Sequence, residues 1–318
     1  MKPLHTRNDV LKLSFCALAS LALPPARAGA ASERGRSGFI RVPDGKVWYR
    51  IYGSGPKTPI LTLHGGPGAA HNYLLPLRAL ADDRPVIFYD QLGCGLSDAP
   101  RGEGPYHIAR FVAEVDAVRE ALGLERVILY GHSWGTMLAI EYFATGHGAG
   151  VEKLIMGGAI ASIPQFVAGQ FAMIEALPEG AGRRLLALER SGHTYGAEYE
   201  QLVDLFYKLH VLRTKPNADT SATFAYLAKS PAYAIMNGPN EFTITGNLKH
   251  WDRRKDLGAI TVPTLLLTGQ YDEVSLACHE TIHHAVRGSQ LEVLPNCSHL
   301  AMQEAPADYV RRVRAFLA

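Results

Sequence analysis

The run Arg126-Val127-Ile128-Leu129-Tyr130-Gly131-His132-Ser133-Trp134-Gly135, continuing as Thr136-Met137-Leu138-Ala139-Ile140-Glu141-Tyr142-Phe143, decides the fold. A β-branched and aliphatic stretch meets Gly-x-Ser-x-Gly and passes into an apolar, helix-capable segment. Strand, sharp turn and helix in that order are the context a nucleophile elbow requires, with Ser133 strained at the tip. Side chains at Gly131 and Gly135 would collide with the neighbouring strand and helix. Ser133 also stands where the helix begins, so the Trp134 N–H points at an oxyanion forming beside it. Gly-x-Ser-x-Gly alone is a weak pattern; its weight comes from partners downstream.

Those partners follow in the order Ser, acid, His. Ile260 to Gly269 reads as a buried strand, and Gln270-Tyr271-Asp272-Glu273 leaves its carboxyl end. Gln290 to Pro295 reads as the last strand, and Asn296-Cys297-Ser298-His299 leaves it. His299 is the expected base for Ser133, and Asp272 the acid that fixes its tautomer and stabilises the imidazolium. With 13 histidines in the chain, a His alone means little; three residues in order, each just after a strand, point to a serine-hydrolase triad.

Outward from the elbow, Phe39 to Arg41 and Lys46 to Tyr52 read as a hairpin turned at Pro43-Asp44-Gly45. Pro59 to Leu63 is a buried strand running into His64-Gly65-Gly66-Pro67-Gly68, and Arg84 to Asp90 is another strand. Leu74 to Ala81 reads as helical, and Ile108, Phe111, Val112, Val115, Val118 and Leu122 mark one helical face. Strands separated by helices imply an α/β fold whose mainly parallel sheet is covered on both faces. From Ser162 to Leu257 only helical segments stand out, at Gln165–Leu177, Arg183–Leu188, Tyr199–Leu212 and Ser221–Ala228. The expected organisation is a core over 39–161 and 258–318, with a helical cap inserted at 162–257.

The chain carries a formal charge of +2, but residues 1–28 hold Lys2, Arg7, Lys12 and Arg27 against Asp9, leaving the remainder at about −1. That excludes an electrostatic case for nucleic acid or an anionic membrane. Residues 1–28 read as a cleavable export signal: a basic start, the apolar run Leu13 to Leu23, too short to span a bilayer, then Ala26-Arg27-Ala28. Thr6 to Lys12 is similar to a twin-arginine signal with Asn8 at the second arginine, so the expected destination is the periplasm or the exterior. Residues 29–38 read as a linker. Cleavage would leave Cys94, Cys278 and Cys297, either three buried thiols or one bridge and a free thiol.

Together, His64-Gly65-Gly66-Pro67-Gly68, Asp90-Gln91-Leu92-Gly93-Cys94-Gly95-Leu96-Ser97, the elbow, and Asn296-Cys297-Ser298-His299 resemble the proline iminopeptidase family of α/β-hydrolases. Met236 to Gly246 is similar to the cap motif of the tricorn-interacting aminopeptidase and amino-acid amidase branch. The likeness spans roughly Phe39 to Ala318 and departs at Leu92, where the pattern usually has Arg. It implies the α/β-hydrolase fold and removal of an N-terminal residue, often proline, from peptides, or hydrolysis of amino-acid amides and arylamides. It implies no cofactor. The loop's backbone supplies the second oxyanion donor, assigned to the N–H of Gly66 alongside Trp134, while Asp90 to Ser97 shapes the wall. An α-ammonium in a partly buried cleft demands a carboxylate, and Glu241 is the expected one, with Glu175, Asp204 or Glu198 as a possible second. A carboxylesterase or lactonase with the same triad is the alternative. His279-Glu280-Thr281-Ile282-His283 matches a zinc-protease pattern, with Glu304 as a distant third ligand. Its place on a helix of the hydrolase core, whose outer face should be solvated, argues against a metal site.

Overall fold

A computed structural model describes residues 35–318. The export signal expected over residues 1–28 and the start of the linker lie outside the described residues. Eight strands, β1 (Arg36–Val42), β2 (Gly45–Tyr52), β3 (Ile60–Leu63), β4 (Val86–Tyr89), β5 (Val127–His132), β6 (Val151–Gly157), β7 (Thr264–Gly269) and β8 (Gln290–Leu294), form one sheet in the order β1-β2-β4-β3-β5-β6-β7-β8. β1 and β2 form the hairpin and β2 meets β4 antiparallel; every later pairing is parallel. β1 begins three residues earlier than expected. Arg36, Ser37 and Gly38 look like linker by composition, yet they pair with Ile51, Arg50 and Tyr49. An exposed edge strand needs ladder partners more than apolar side chains.

The core helices are α1 (Ile108–Ala121), α2 (Trp134–Ala144), α7 (Leu276–Ala285), α8 (Ala301–Glu304) and α9 (Pro306–Leu317); between them in sequence, the cap contributes α3 (Ile163–Glu175), α4 (Ala181–Ser191), α5 (Ala197–His210) and α6 (Ala218–Leu227). The stretch expected to be helical at Leu74–Ala81 belongs to a longer 3-10 run, His71–Asp82, with Pro76 inside it. Proline removes an α-helical hydrogen bond and crowds the preceding turn. One apolar cluster packs α1, α2 and α7 on one face of the sheet, and a second packs the 3-10 run and α9 on the other. A third, around Leu185, Tyr199, Phe206 and Phe242, belongs to the cap itself.

The cap is closed at its base. Ser162 and Asp252 form an isolated antiparallel bridge, the Ile163 N–H donates to Trp251 O at 2.9 Å, and the Arg253 N–H to Ala161 O at 2.8 Å. Arg253 and the Trp251 indole then both donate to Glu141 on α2, fastening the exit of the cap to the helix that follows the elbow.

The tight elbow carries a stability prediction. A Cβ at Gly135 would lie 2.0 Å from the Leu63 carbonyl oxygen, which is backbone and cannot swing aside. Gly258 has nothing within 4 Å. Gly135→Ala is expected to cost about 3 kcal/mol in urea unfolding, or to prevent folding. Gly258→Ala is expected to stay within about 0.5 kcal/mol of the parent.

Candidate active site

The elbow puts Ser133 in a conformation that side chains avoid, φ 54° and ψ −122°, between a wholly buried β5 and the first turn of α2. Such strain persists only where the surroundings over-determine it. Here the Ser133 N–H donates to Gly157 O at 2.9 Å, and a Cβ at Gly131 would meet Gly135 O at 2.5 Å. The acid and base arrive on the loops after β7 and β8. His299 Nδ1–H donates to Asp272 Oδ1 at 2.8 Å, and Asp272 is braced by the Val274 N–H at 2.8 Å and Thr268 Oγ1 at 3.2 Å. The ring of His299 lies over Gly158, where a Cβ would stand 2.5 Å from its Cε1. Ser133 and His299 therefore both border the Gly157-Gly158 turn.

Two networks hold the oxyanion side. In the first, the Gln91 N–H donates to His64 Nε2, the Gln91 side-chain amide to His64 O, and the Trp134 indole to Gln91 Oε1, at 2.8–2.9 Å. The Asp90-Gln91 loop thus anchors the His-Gly-Gly-Pro-Gly loop as well as forming wall. In the second, the Gly65 N–H donates to Tyr73 Oη at 2.7 Å, Tyr73 lies 3.0 Å from His132 Nδ1, and His132 Nε2 lies 3.0 Å from His299 O. Because Tyr73 already accepts from Gly65, its own proton goes to His132 Nδ1, and His132 Nε2–H donates to the base's carbonyl. Only a neutral His132 satisfies that chain. Burial, and then His299, hold its pKa down to about 3. Among the described residues the N–H groups of Gly66 and Trp134 have no hydrogen-bond partner, which leaves both donors free for an oxyanion.

The cap brings the acids. Glu241 accepts from Tyr233 Oη at 2.7 Å; burial raises its pKa, while Tyr233 and His299 pull it back. Of the three acids considered as its companion, Glu175 and Glu198 are exposed, Glu198 paired with Arg184, and Asp204 is half-buried on α5. A fourth acid, Glu273, next to Asp272 and fully buried, lies with Oε1 3.5 Å from His299 Nε2. Burial lifts Glu273 to about 8; His299 opposes the rise, and Glu241 and Asp272 add to it. On His299 burial works the other way, but Asp272, then Glu273, and finally Glu241 carry it up to about 9. Asp272, although buried, stays below the usual carboxylate range because of His299 beside it. The sequence signal for Glu273 was adjacency to Asp272, which does not give side-chain direction. The cap supplies it: the Gln170 side-chain amide on α3 donates to Glu273 Oε2 at 3.3 Å, while the carbonyl of the last residue of α5, His210, accepts from the backbone N–H groups of both Glu273 and His299, at 3.1 and 3.0 Å. These are the unpaired acceptors every helix C-terminus offers.

The zinc-protease pattern is dispersed. His279 points inward, not to solvent; its Nδ1–H donates to Ser275 O and its Nε2 accepts from the Ala159 N–H at 2.9 Å. Glu280 is exposed, His283 meets Ser289, and Glu304 accepts from Ser298 and Arg213. Among the described residues no three His, Cys, Asp or Glu side chains converge as metal ligands. Cys94, Cys278 and Cys297 are all buried free thiols.

The sequence profile of the α/β hydrolase fold family matches residues 58–306. The chain is 38% identical to the proline iminopeptidase of Saccharolobus solfataricus, over 88% of this chain and 91% of that one. It is 36% identical to that of Thermoplasma volcanium, over 90% and 97%. The chain belongs to the proline iminopeptidase family. The crystal structure of the family's Mycobacterium smegmatis enzyme superposes with a TM-score of 0.82 at 32% identity, covering 89% of this chain and 97% of that one. At the departure from the family pattern, Leu92 is core, its N–H 3.3 Å from a Glu114 carboxylate that Arg110 on the same helix neutralises.

The Tyr73 chain joins the oxyanion loop to the elbow and to the base, so its loss should affect rate before binding. Tyr73→Phe leaves the Gly65 N–H and His132 Nδ1 unpaired in the interior. The expected outcome is a kcat about tenfold lower with KM within about twofold, measured by steady-state kinetics on an unblocked arylamide.

Proposed function

We propose that the chain is an exported serine aminopeptidase that releases the N-terminal residue, proline among them, from short peptides and hydrolyses amino-acid amides and arylamides. The observation that carries the reading is a pair of acids facing the base, the fully buried Glu273 and the half-buried Glu241. Two carboxylates in a desolvated cleft are costly unless a cation joins them, and the α-ammonium of an unblocked substrate is a cation of the right size. A neutral acyl pocket, as a carboxylesterase or lactonase would need, has no use for them. Export is supported by the basic, apolar and small-residue order of residues 1–28.

In this reading the ammonium seats on Glu241 and Glu273, which places the scissile carbonyl against Ser133. Ser133 Oγ attacks, its proton passes to His299 Nε2, and the oxyanion takes the N–H groups of Gly66 and Trp134. His299 hands the proton to the leaving nitrogen as the C–N bond breaks. Water, deprotonated by the same imidazole, then hydrolyses the aminoacyl ester.

Glu241→Gln keeps the shape and removes a charge. It is expected to lower kcat/KM for an unblocked amino-acid arylamide by roughly ten- to a hundredfold, the equivalent of one charge-assisted hydrogen bond. Turnover of a small neutral ester by the same sample is expected not to fall, which separates loss of the ammonium contact from a collapsed cap. The export reading is checked by N-terminal sequencing of protein from the native host, which should begin near Gly29.

A further inference from the structure

The base is engaged on both sides. Nδ1 of His299 is hydrogen-bonded to Asp272, and Nε2, the nitrogen that must take the serine proton, faces Glu273 Oε1 at 3.5 Å. Both side chains are almost wholly buried. Among the described residues Ser133 Oγ makes no hydrogen bond to His299, whose ring bonds only to Asp272. An imidazole nitrogen 3.5 Å from a carboxylate in a low-dielectric interior, within ion-pair reach though not hydrogen-bonded to it, holds its proton more tightly than a free ring does. A proton there occupies the lone pair that catalysis needs.

We propose that the substrate's own ammonium switches the base on: by taking Glu273 as its counter-ion, it expels the proton that Glu273 helps hold on His299 and frees Nε2 for Ser133. The balance is one cation for one proton. The ammonium enters, one proton leaves to solvent, and the charge of the acid cluster is unchanged. The freed Nε2 then accepts the proton of Ser133 as the Oγ–C bond forms and delivers it to the leaving nitrogen. The aminoacyl group stays on Ser133 with its ammonium still on the acids, so the base remains free through hydrolysis of the ester. The site therefore discriminates against blocked or neutral substrates in turnover as well as in binding. The inference rests on the ammonium reading above and adds what that ammonium does to the base.

The charged surroundings of His299 fit this account from every side. Asp272 and Glu273 face it from the loop after β7 and Glu241 from the cap loop, all raising its proton affinity. His132 from β5 and His279 from α7 are held neutral by burial. Among the described residues the counter-cation that faces all three carboxyl groups in the free site is thus the imidazolium, and the substrate ammonium is its natural replacement.

The test compares kcat against pH for an unblocked alanine arylamide and for p-nitrophenyl acetate, in the parent and in Glu273→Gln. For the ester, which brings no ammonium, the acidic limb in the parent is expected near pH 9, where His299 loses its proton. The sign follows from the role: a base with a raised pKa is competent only above it, so anything that lowers the pKa moves the limb to lower pH. For the arylamide the limb is expected at least about one pH unit lower. Glu273→Gln should raise ester turnover at pH 7 about tenfold while lowering kcat/KM for the arylamide at least about tenfold. Opposite changes in one sample exclude misfolding. Coincident limbs in the parent, or an ester rate that falls with the arylamide rate, would overturn the switch while leaving the ammonium contact standing. An arylamide rate untouched by Glu273→Gln would remove the contact itself. A second measurement needs no acid variant: alaninamide binding to Ser133→Ala, by calorimetry near pH 7 in buffers of different ionisation enthalpy, should release about one proton per ligand bound. Binding without proton release contradicts the proposal.

Discussion

The carbonyl oxygen of Leu63 lies where any side chain at position 135 would have to be. That contact between the end of β3 and the first turn of α2 ties the oxyanion loop to the elbow. It fixes Trp134 against Gln91, and through Gln91 it fixes His64 and the glycines after it. The parallel order β3-β5-β6-β7-β8 then delivers the remaining parts on one edge of the sheet. β6 ends in the Gly157-Gly158 turn that borders both Ser133 and His299, while the loops after β7 and β8 bring acid and base together. Glycine at 269 is part of this arrangement, since a Cβ there would meet Cys297 O and Ser298 O, the backbone that carries His299 over it, at 2.4 and 2.3 Å.

The cap contributes electrostatics more than shelter. The His210 carbonyl at the end of α5 holds the backbones of Glu273 and His299 in a shared register, and Val211 O takes the Leu300 N–H at 3.0 Å. α3 adds Gln170, whose side-chain amide donates to Glu273 Oε2 at 3.3 Å, and the Met236–Gly246 segment adds Glu241. A cap that moved away would take Glu241 with it and release the hydrogen bonds that aim Glu273. The cap and the base therefore share the same few hydrogen-bonding groups.

Much of this was legible in the sequence because its causes are local. The Gly-x-Ser-x-Gly turn, the strands on either side of it, and the acid and base just past two later strands follow from periodicity, turn residues and chain order. Glu241 stood out in the sequence as the acid of a Gly- and Pro-containing cap loop, and the structure sets its carboxylate against Tyr233 Oη. What escaped was set by direction rather than by residue type. Glu273 is held by the cap, its N–H by α5 and its carboxyl by Gln170 on α3, and no pattern in Gln270 to Glu273 contains either helix. His279 is turned inward by the N–H of Ala159, a partner 120 residues away, so a zinc-like spacing became a core contact. The 3-10 winding of His71–Asp82 follows Pro76, and β1 starts at Arg36 because β2 offers partners that composition does not reveal.

The central claim is that Ser133 carries the acyl group of an unblocked substrate. Its most direct test is to mix the enzyme with the p-nitrophenyl ester of alanine or proline, quench in acid within the first turnover, digest, and weigh the peptides. The account predicts that the peptide containing Ser133, and no other, gains the mass of one aminoacyl residue, and that none gains it in Ser133→Ala. An adduct on a different residue, or rapid p-nitrophenol release with Ser133 never modified, would contradict it.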